Sequence, residues 1–142
     1  MTARVLALDV GSRRLGVAVS DPTGTLASPL VTVARTGDEA DAAALRRLAA
    51  EHGAALVVTG LPVALSGREE QAARDVRAYV GRLAALLPEL EFELVDERLS
   101  TAVAERSLAA QGVRGPARRQ VVDQLAACVF LQAWLDRRRA AG

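Results

Sequence analysis

The chain has no lysine: all 18 of its basic residues are arginine. Guanidinium forks suit phosphate, but a GC-rich genome produces the same bias, so this absence by itself assigns no ligand. The one cysteine, Cys128, excludes an internal disulfide and fits a reducing compartment. Aromatic residues make up only 3% of the chain, too little for recognition built mainly on base stacking. No apolar run approaches membrane-spanning length. Arg4 and Asp9 break up the first ten residues, which therefore do not read as a signal peptide. The formal net charge of +1 provides no global basic field to advertise nucleic acid. The only histidine, His52, closes a predicted helix, where a cation suits the helix C-terminus. No CxxC, HExxH, Walker loop or Ser-His-Asp set is present. The expectation is a cytoplasmic protein with no membrane association.

What is present is a core. With 142 residues, 51% of them hydrophobic, the chain reads as a single domain over 1–142. Val5, Leu6, Ala7, Leu8 and Val10 are apolar on both alternating faces, as in a strand covered on both sides. Gly16 opens a second apolar run, and Pro29 to Val33 reads as a third, antiparallel strand. Asp38 is placed to cap a helix ending at His52-Gly53, with Asp41 a second acid in its first turn. Ala55 to Thr59 is the next strand, leading into a turn-rich loop, Gly60 to Gly67, in which Ser66 and Glu69 fit a capping box. Ala73, Val76, Tyr79, Val80, Leu83 and Leu87 form the core stripe of a helix that stops at Pro88. Glu91 to Val95 is a fifth strand, followed by a helix capped at Ser100 or Thr101. Gln111 to Pro116 reads as a mobile linker, and the last helix runs from Ala117 to Arg138 with its polar face around Gln124 and Gln132. The order β-β-β-α-β-α-β-α-α implies an α/β fold: a five-stranded mixed sheet with helices on both faces.

Three acids stand apart from this pattern. Asp9 interrupts the first strand, where a carboxylate in dry protein is costly unless paired. The plainer alternative is that it caps the turn at Gly11. Asp123 falls inside the apolar stripe of the last helix, beside Ala127, Phe130 and Trp134, so either a buried arginine or a metal must answer it. Glu97 follows the fifth strand, where a solvated acid at a helix N-terminus is the simpler reading. Residues near strand carboxyl ends converge on one crevice in such sheets. Three convergent carboxylates repel one another, and Mg²⁺ or Mn²⁺ relieves that repulsion. The chemistry that follows is two-metal phosphodiester hydrolysis.

At these residues the chain resembles a known family. LDVGSRRLGVAVSD, the GLP of the middle loop, VDERLST and the late VVDQLAACVFLQAWL together are similar to the YqgF (RuvX) family over nearly the whole length. The resemblance implies a ribonuclease H-like fold and a nuclease tied to maturation of the 5′ end of pre-16S rRNA, or a Holliday junction resolvase acting on branched DNA. It implies Asp9, Glu97 and Asp123 as metal-binding acids, with Asp9 bridging two ions and each of the others completing one shell. It also marks Arg14, Arg98 and Ser100 beside those acids. Arg118 and Arg119 join them as candidate phosphate contacts, although an exposed arginine is equally explained as a surface charge. One departure is the loop after Gly60-Leu61-Pro62, where family members often carry an asparagine and this chain reads Val63-Ala64-Leu65-Ser66.

The partners implied are structured RNA or branched DNA, and the assembling small ribosomal subunit, with the chain a monomer or a homodimer. Two other classes are open at this point. A non-catalytic RNA-binding ribosome-assembly factor would keep the fold without turnover. A sugar-kinase or actin-like ATP binder shares the Asp-x-Gly hairpin but needs two such domains.

Overall fold

The computed structural model describes residues 3–62, 70–96 and 115–141, with side chains in the last stretch from Asp123 onward. The elements are β1 (Arg4–Val10), β2 (Arg14–Ser20), β3 (Ala27–Ala34), α1 (Asp38–His52), β4 (Ala54–Leu61), α2 (Gln71–Leu86), β5 (Glu91–Asp96) and α3 (Gly115–Ala141). Among the described residues no helix is long and apolar enough to cross a membrane.

The strands form one sheet in the order β3-β2-β1-β4-β5. β1 pairs antiparallel with β2, and β2 with β3, while β1, β4 and β5 run parallel. The doubly apolar β1 is thus the central strand, as its sequence requires. Its even residues Leu6 and Leu8 join Leu45, Leu48, Tyr79 and Leu83 of α1 and α2 on one face. Its odd residues Val5 and Ala7 join Phe130, Leu131 and Leu135 of α3 on the other. Full burial of each such Leu or Phe side chain contributes about 1.5–3 kcal/mol, which docks α3 across the sheet. Pro29, which lacks an N–H, sits on the edge strand beside a register shift between Val17 and Ala18.

Several local expectations change. Gly37, not Asp38, occupies the N-cap position of α1, and among the described residues no side chain caps that end. Asp38 is the first helical residue, and its Oδ2 accepts a 2.7 Å hydrogen bond from Arg82. The neighbouring main chain is held instead by buried Asp41, whose Oδ1 accepts from the Thr36 N–H at 3.0 Å. A buried carboxylate needs its oxygens engaged, and Tyr79 supplies the second donor, to Oδ2, at 2.6 Å. Tyr79 is therefore more than part of a core stripe. Gly53, at φ 63°, closes α1 in the left-handed region, as expected. His52 Nδ1 lies 3.3 Å from Arg4 Nη1, a contact that ties the end of α1 to the start of β1.

At the other end, α3 already includes Gly115 and Pro116, the last two residues of the expected linker. Proline is tolerated in a first helical turn, where its missing N–H has no intrahelical partner to lose. The glutamines expected on a polar face lie along β3 instead. Gln124 Nε2 donates to Thr32 Oγ1 at 2.9 Å, and Gln132 Oε1 accepts from the Ala27 N–H at 2.9 Å. They satisfy polar groups along the edge strand that water would otherwise take. The expected capping box at Ser66 and Glu69, the helix after Ser100 and residues 111–114 of the linker lie outside the described residues.

Candidate active site

Asp9 is the penultimate residue of β1, half-buried, on the face that α3 covers. In the antiparallel register it stands directly opposite Gly16 of β2, a separation of roughly 4.5–5.5 Å between Cα atoms. Gly16 is the seat for α3. A Cβ built there would run into the main-chain carbonyl of Asp123 and come within 2.8 Å of its Cβ. Only a residue without a side chain admits this approach. Two acids far apart in sequence are thereby brought to the same end of the sheet, one opposite the glycine and one resting on it.

Arg14, two residues before Gly16 on the same strand face, donates from Nε to Asp123 Oδ2 at 3.0 Å. The side chains are 33% and 19% exposed, so the pair is partly desolvated. The acid in the apolar stripe is thus answered by an arginine. The Gly11 N–H donates to the Arg14 carbonyl at 2.8 Å and closes the turn between β1 and β2. A cavity of about 440 Å³ opens here, lined by Gly11, Ser12, Arg13, Arg14 and Asp123.

The turn bearing this cavity is clamped from β3. Arg35 donates from its main-chain N–H to the Arg13 carbonyl at 2.8 Å and from Nη1 to the Gly11 carbonyl at 2.6 Å. Its guanidinium lies over the Tyr79 ring, 3.9 Å from the centroid. Burial, reinforced by the bond to the Asp41 carboxylate, pushes the Tyr79 hydroxyl well above its ordinary value. Neither the Gly16 seat nor the Arg35 clamp was anticipated. A glycine inside an apolar strand is a usable signal for close backbone approach, whereas nothing local marks Arg35.

Of the expected site residues, Asp9, Asp123 and Arg14 come together. Glu97 follows the last residue of β5 in sequence and, with Arg98 and Ser100, lies outside the described residues. Arg118 and Arg119 belong to the first turns of α3, the end that carries Asp123, and their side chains are outside the description. Among the described residues no three acid, histidine or cysteine side chains form a metal-binding group. Asp9 and Asp123, at the same end of the sheet, offer hard oxygen donors of the type Mg²⁺ and Mn²⁺ prefer. A cation already sits against one of them in the form of Arg14. The donor chemistry therefore fits a divalent ion.

A family model described as "RuvX: Holliday junction resolvase" matches residues 3–137. The chain belongs to the RuvX family. This RuvX chain is 48% identical over 141 residues to a protein of Mycolicibacterium paratuberculosis, covering 97% of itself and 83% of that protein. It is also 48% identical over 140 residues to a protein of Nocardioides sp., covering 96% and 90%. Both relatives carry the name "Putative pre-16S rRNA nuclease". Among solved structures, Thermus thermophilus RuvC in complex with a Holliday junction substrate matches with a TM-score of 0.60 at 16% identity, covering 97% of this chain and 96% of that one. The large terminase nuclease of phage G20c matches at 0.53 and 15% identity, covering 90% and 81%. These likenesses show the fold, which is ribonuclease H-like, and the family is one of nucleases.

Proposed function

We propose that this RuvX protein is a divalent-cation-dependent nuclease that acts on the 5′ region of pre-16S rRNA. The whole site would be carried on a single ribonuclease H-like domain spanning 1–142. The observation that supports it is the placement of Asp123 on Gly16, directly across from Asp9, at one end of the central strands. Asp9, Glu97 and Asp123 would hold Mg²⁺ or Mn²⁺, two ions when substrate is present. Bound there, the ions would supply water activation and charge stabilisation at the leaving oxygen.

The chain's own residues have separable tasks. Asp9 presents its carboxylate from the most rigid strand. Gly16 sets the depth to which Asp123 approaches. Arg14 offsets the charge of Asp123 and stands at the edge of the cavity, where a substrate phosphate can share its donors. Arg98, Ser100, Arg118 and Arg119 are the further candidates for flanking phosphates. Arg35 keeps the Gly11–Arg14 turn in place, so the cavity wall does not depend on substrate to form.

RNA is favoured over a DNA junction because the relatives that share 48% identity bear the rRNA name, whereas the likeness to RuvC at 16% identity extends to the fold only. The second reading is a four-way-junction resolvase, favoured by the family description, which would call for a two-fold dimer. A non-catalytic assembly factor would bind the small ribosomal subunit without turnover.

The test is cleavage by purified protein with Mn²⁺, Mg²⁺ or EDTA, on a labelled pre-16S 5′ fragment and on a synthetic four-way DNA junction, with Asp9→Asn as control. Metal-dependent cutting of the RNA, abolished in the variant, is the expected result. Paired cuts in the junction alone would make the protein a resolvase. An Asp9→Asn protein that restores rRNA maturation in a deletion strain would show that catalysis is not its function.

A further inference from the structure

On the far side of the Gly11–Ser12 turn lies a larger cleft of about 580 Å³, between that turn and helix α2. It shares Gly11 and Ser12 with the carboxylate cavity, so the two are neighbours across a single turn. Its floor is apolar, with Val10 and Val76, and its charged groups are Arg35, Arg82 and Asp75. The volume suits a small organic group and not an ion alone.

The guanidinium of Arg35 is held flat by Tyr79 on one face and fixed at its tip by the Gly11 carbonyl. An immobilised guanidinium plane lining a cleft is a platform on which a nucleobase stacks. Arg82 is bound to Asp38 at 2.7 Å, with both side chains well exposed. Such a pair is weak, so a phosphate can draw Arg82 into the cleft. Asp75 lies on the same wall and already accepts from Gln71 Nε2 at 2.6 Å. Its charge disfavours a row of phosphates there, yet accepts a base amino group. The mixture of stacking plane, apolar floor, one available arginine and one carboxylate matches a single nucleotide.

We propose that this cleft binds one unpaired nucleotide of the substrate strand next to the cleaved phosphate, its base on Arg35 and its phosphate toward Arg82 and Ser12. The base must lack a partner, because a paired base cannot enter between the turn and α2. The inference rests on the nuclease reading above, but it can fail separately.

The experiment measures binding of an RNA stem-loop carrying a four-nucleotide single-stranded 5′ tail, by fluorescence anisotropy in EDTA, so that cleavage plays no part. Arg82→Ala removes the phosphate contact, and Ala72→Trp fills the cleft from an exposed helix position that lines it. Melting temperatures verify that both variants fold. Each is expected to weaken binding about tenfold, the scale of losing one stacked base. An abasic substitution at one tail position should reproduce that loss in the wild type and add nothing in Ala72→Trp. Wild-type affinity in both variants, or equal abasic losses at every tail position, would overturn the subsite even if the protein cleaves RNA. If the variants lose binding while the wild type cleaves nothing, the subsite stands and the nuclease reading falls.

Discussion

Arg14 and Asp123, 109 residues apart, meet at 3.0 Å and join the second strand to the last helix beside the central acid. The guanidinium and a divalent cation would compete for the same carboxylate. Arg14→Gln is therefore expected to tighten Mn²⁺ binding several-fold in calorimetry without substrate, while weakening RNA binding. Stability without metal should fall by about 1 kcal/mol, the upper end of the range for surface pairs, because this one is partly desolvated. Unchanged Mn²⁺ affinity would mean that arginine and cation do not share Asp123.

Gly16→Ala puts a methyl group into the main chain of Asp123, where backbone, not a flexible side chain, must yield. A loss of about 2–3 kcal/mol in urea denaturation is expected, at the upper end of overpacking, together with loss of metal-induced stabilisation. Gly81→Ala is the control. It sits in α2 with open space around its Cβ position, and it should gain about 0.5–1 kcal/mol.

Tyr79 sets the alkaline limit. Its hydroxyl is pushed up by burial and by Asp41, so the folded protein keeps a proton that the unfolded chain releases near 10.0. The stability tied to this group is complete below about pH 10 and is lost as pH rises beyond it. Melting temperature should fall above pH 10, and tyrosinate absorbance, reporting the only tyrosine, should appear with unfolding and not before. Tyr79→Phe should flatten that alkaline fall. At neutral pH it should cost about 1–3 kcal/mol, because Asp41 loses a buried donor.

Thr59 is fully buried, and its Oγ1 has no hydrogen-bond partner among the described residues. Thr59→Val keeps the shape and removes the unsatisfied hydroxyl. A gain of about 1 kcal/mol in denaturant unfolding is expected. A loss would show that the hydroxyl is satisfied in solution, by water for example.

The sequence by itself determined the sheet and the suspects. Strict apolarity on both faces placed the first strand at the centre, and the alternation of strands and helices required a mixed sheet covered on both sides. An acid inside a helical apolar stripe marked Asp123, because burial of charge is too costly to be incidental. These are properties of neighbouring residues, repeating every two or about 3.6 positions, and they can be read without knowing what packs on them. Only the tertiary structure decided that Asp123 rests on Gly16, that Arg14 answers it, and that Arg35 ties the turn at Gly11 to the ring of Tyr79. It also turned Gln124 and Gln132 toward the edge strand and gave Asp41 its donors. Each of these depends on the register with which one element lands on another. That register is chosen by the packing of the whole core, and no short window of residues contains it.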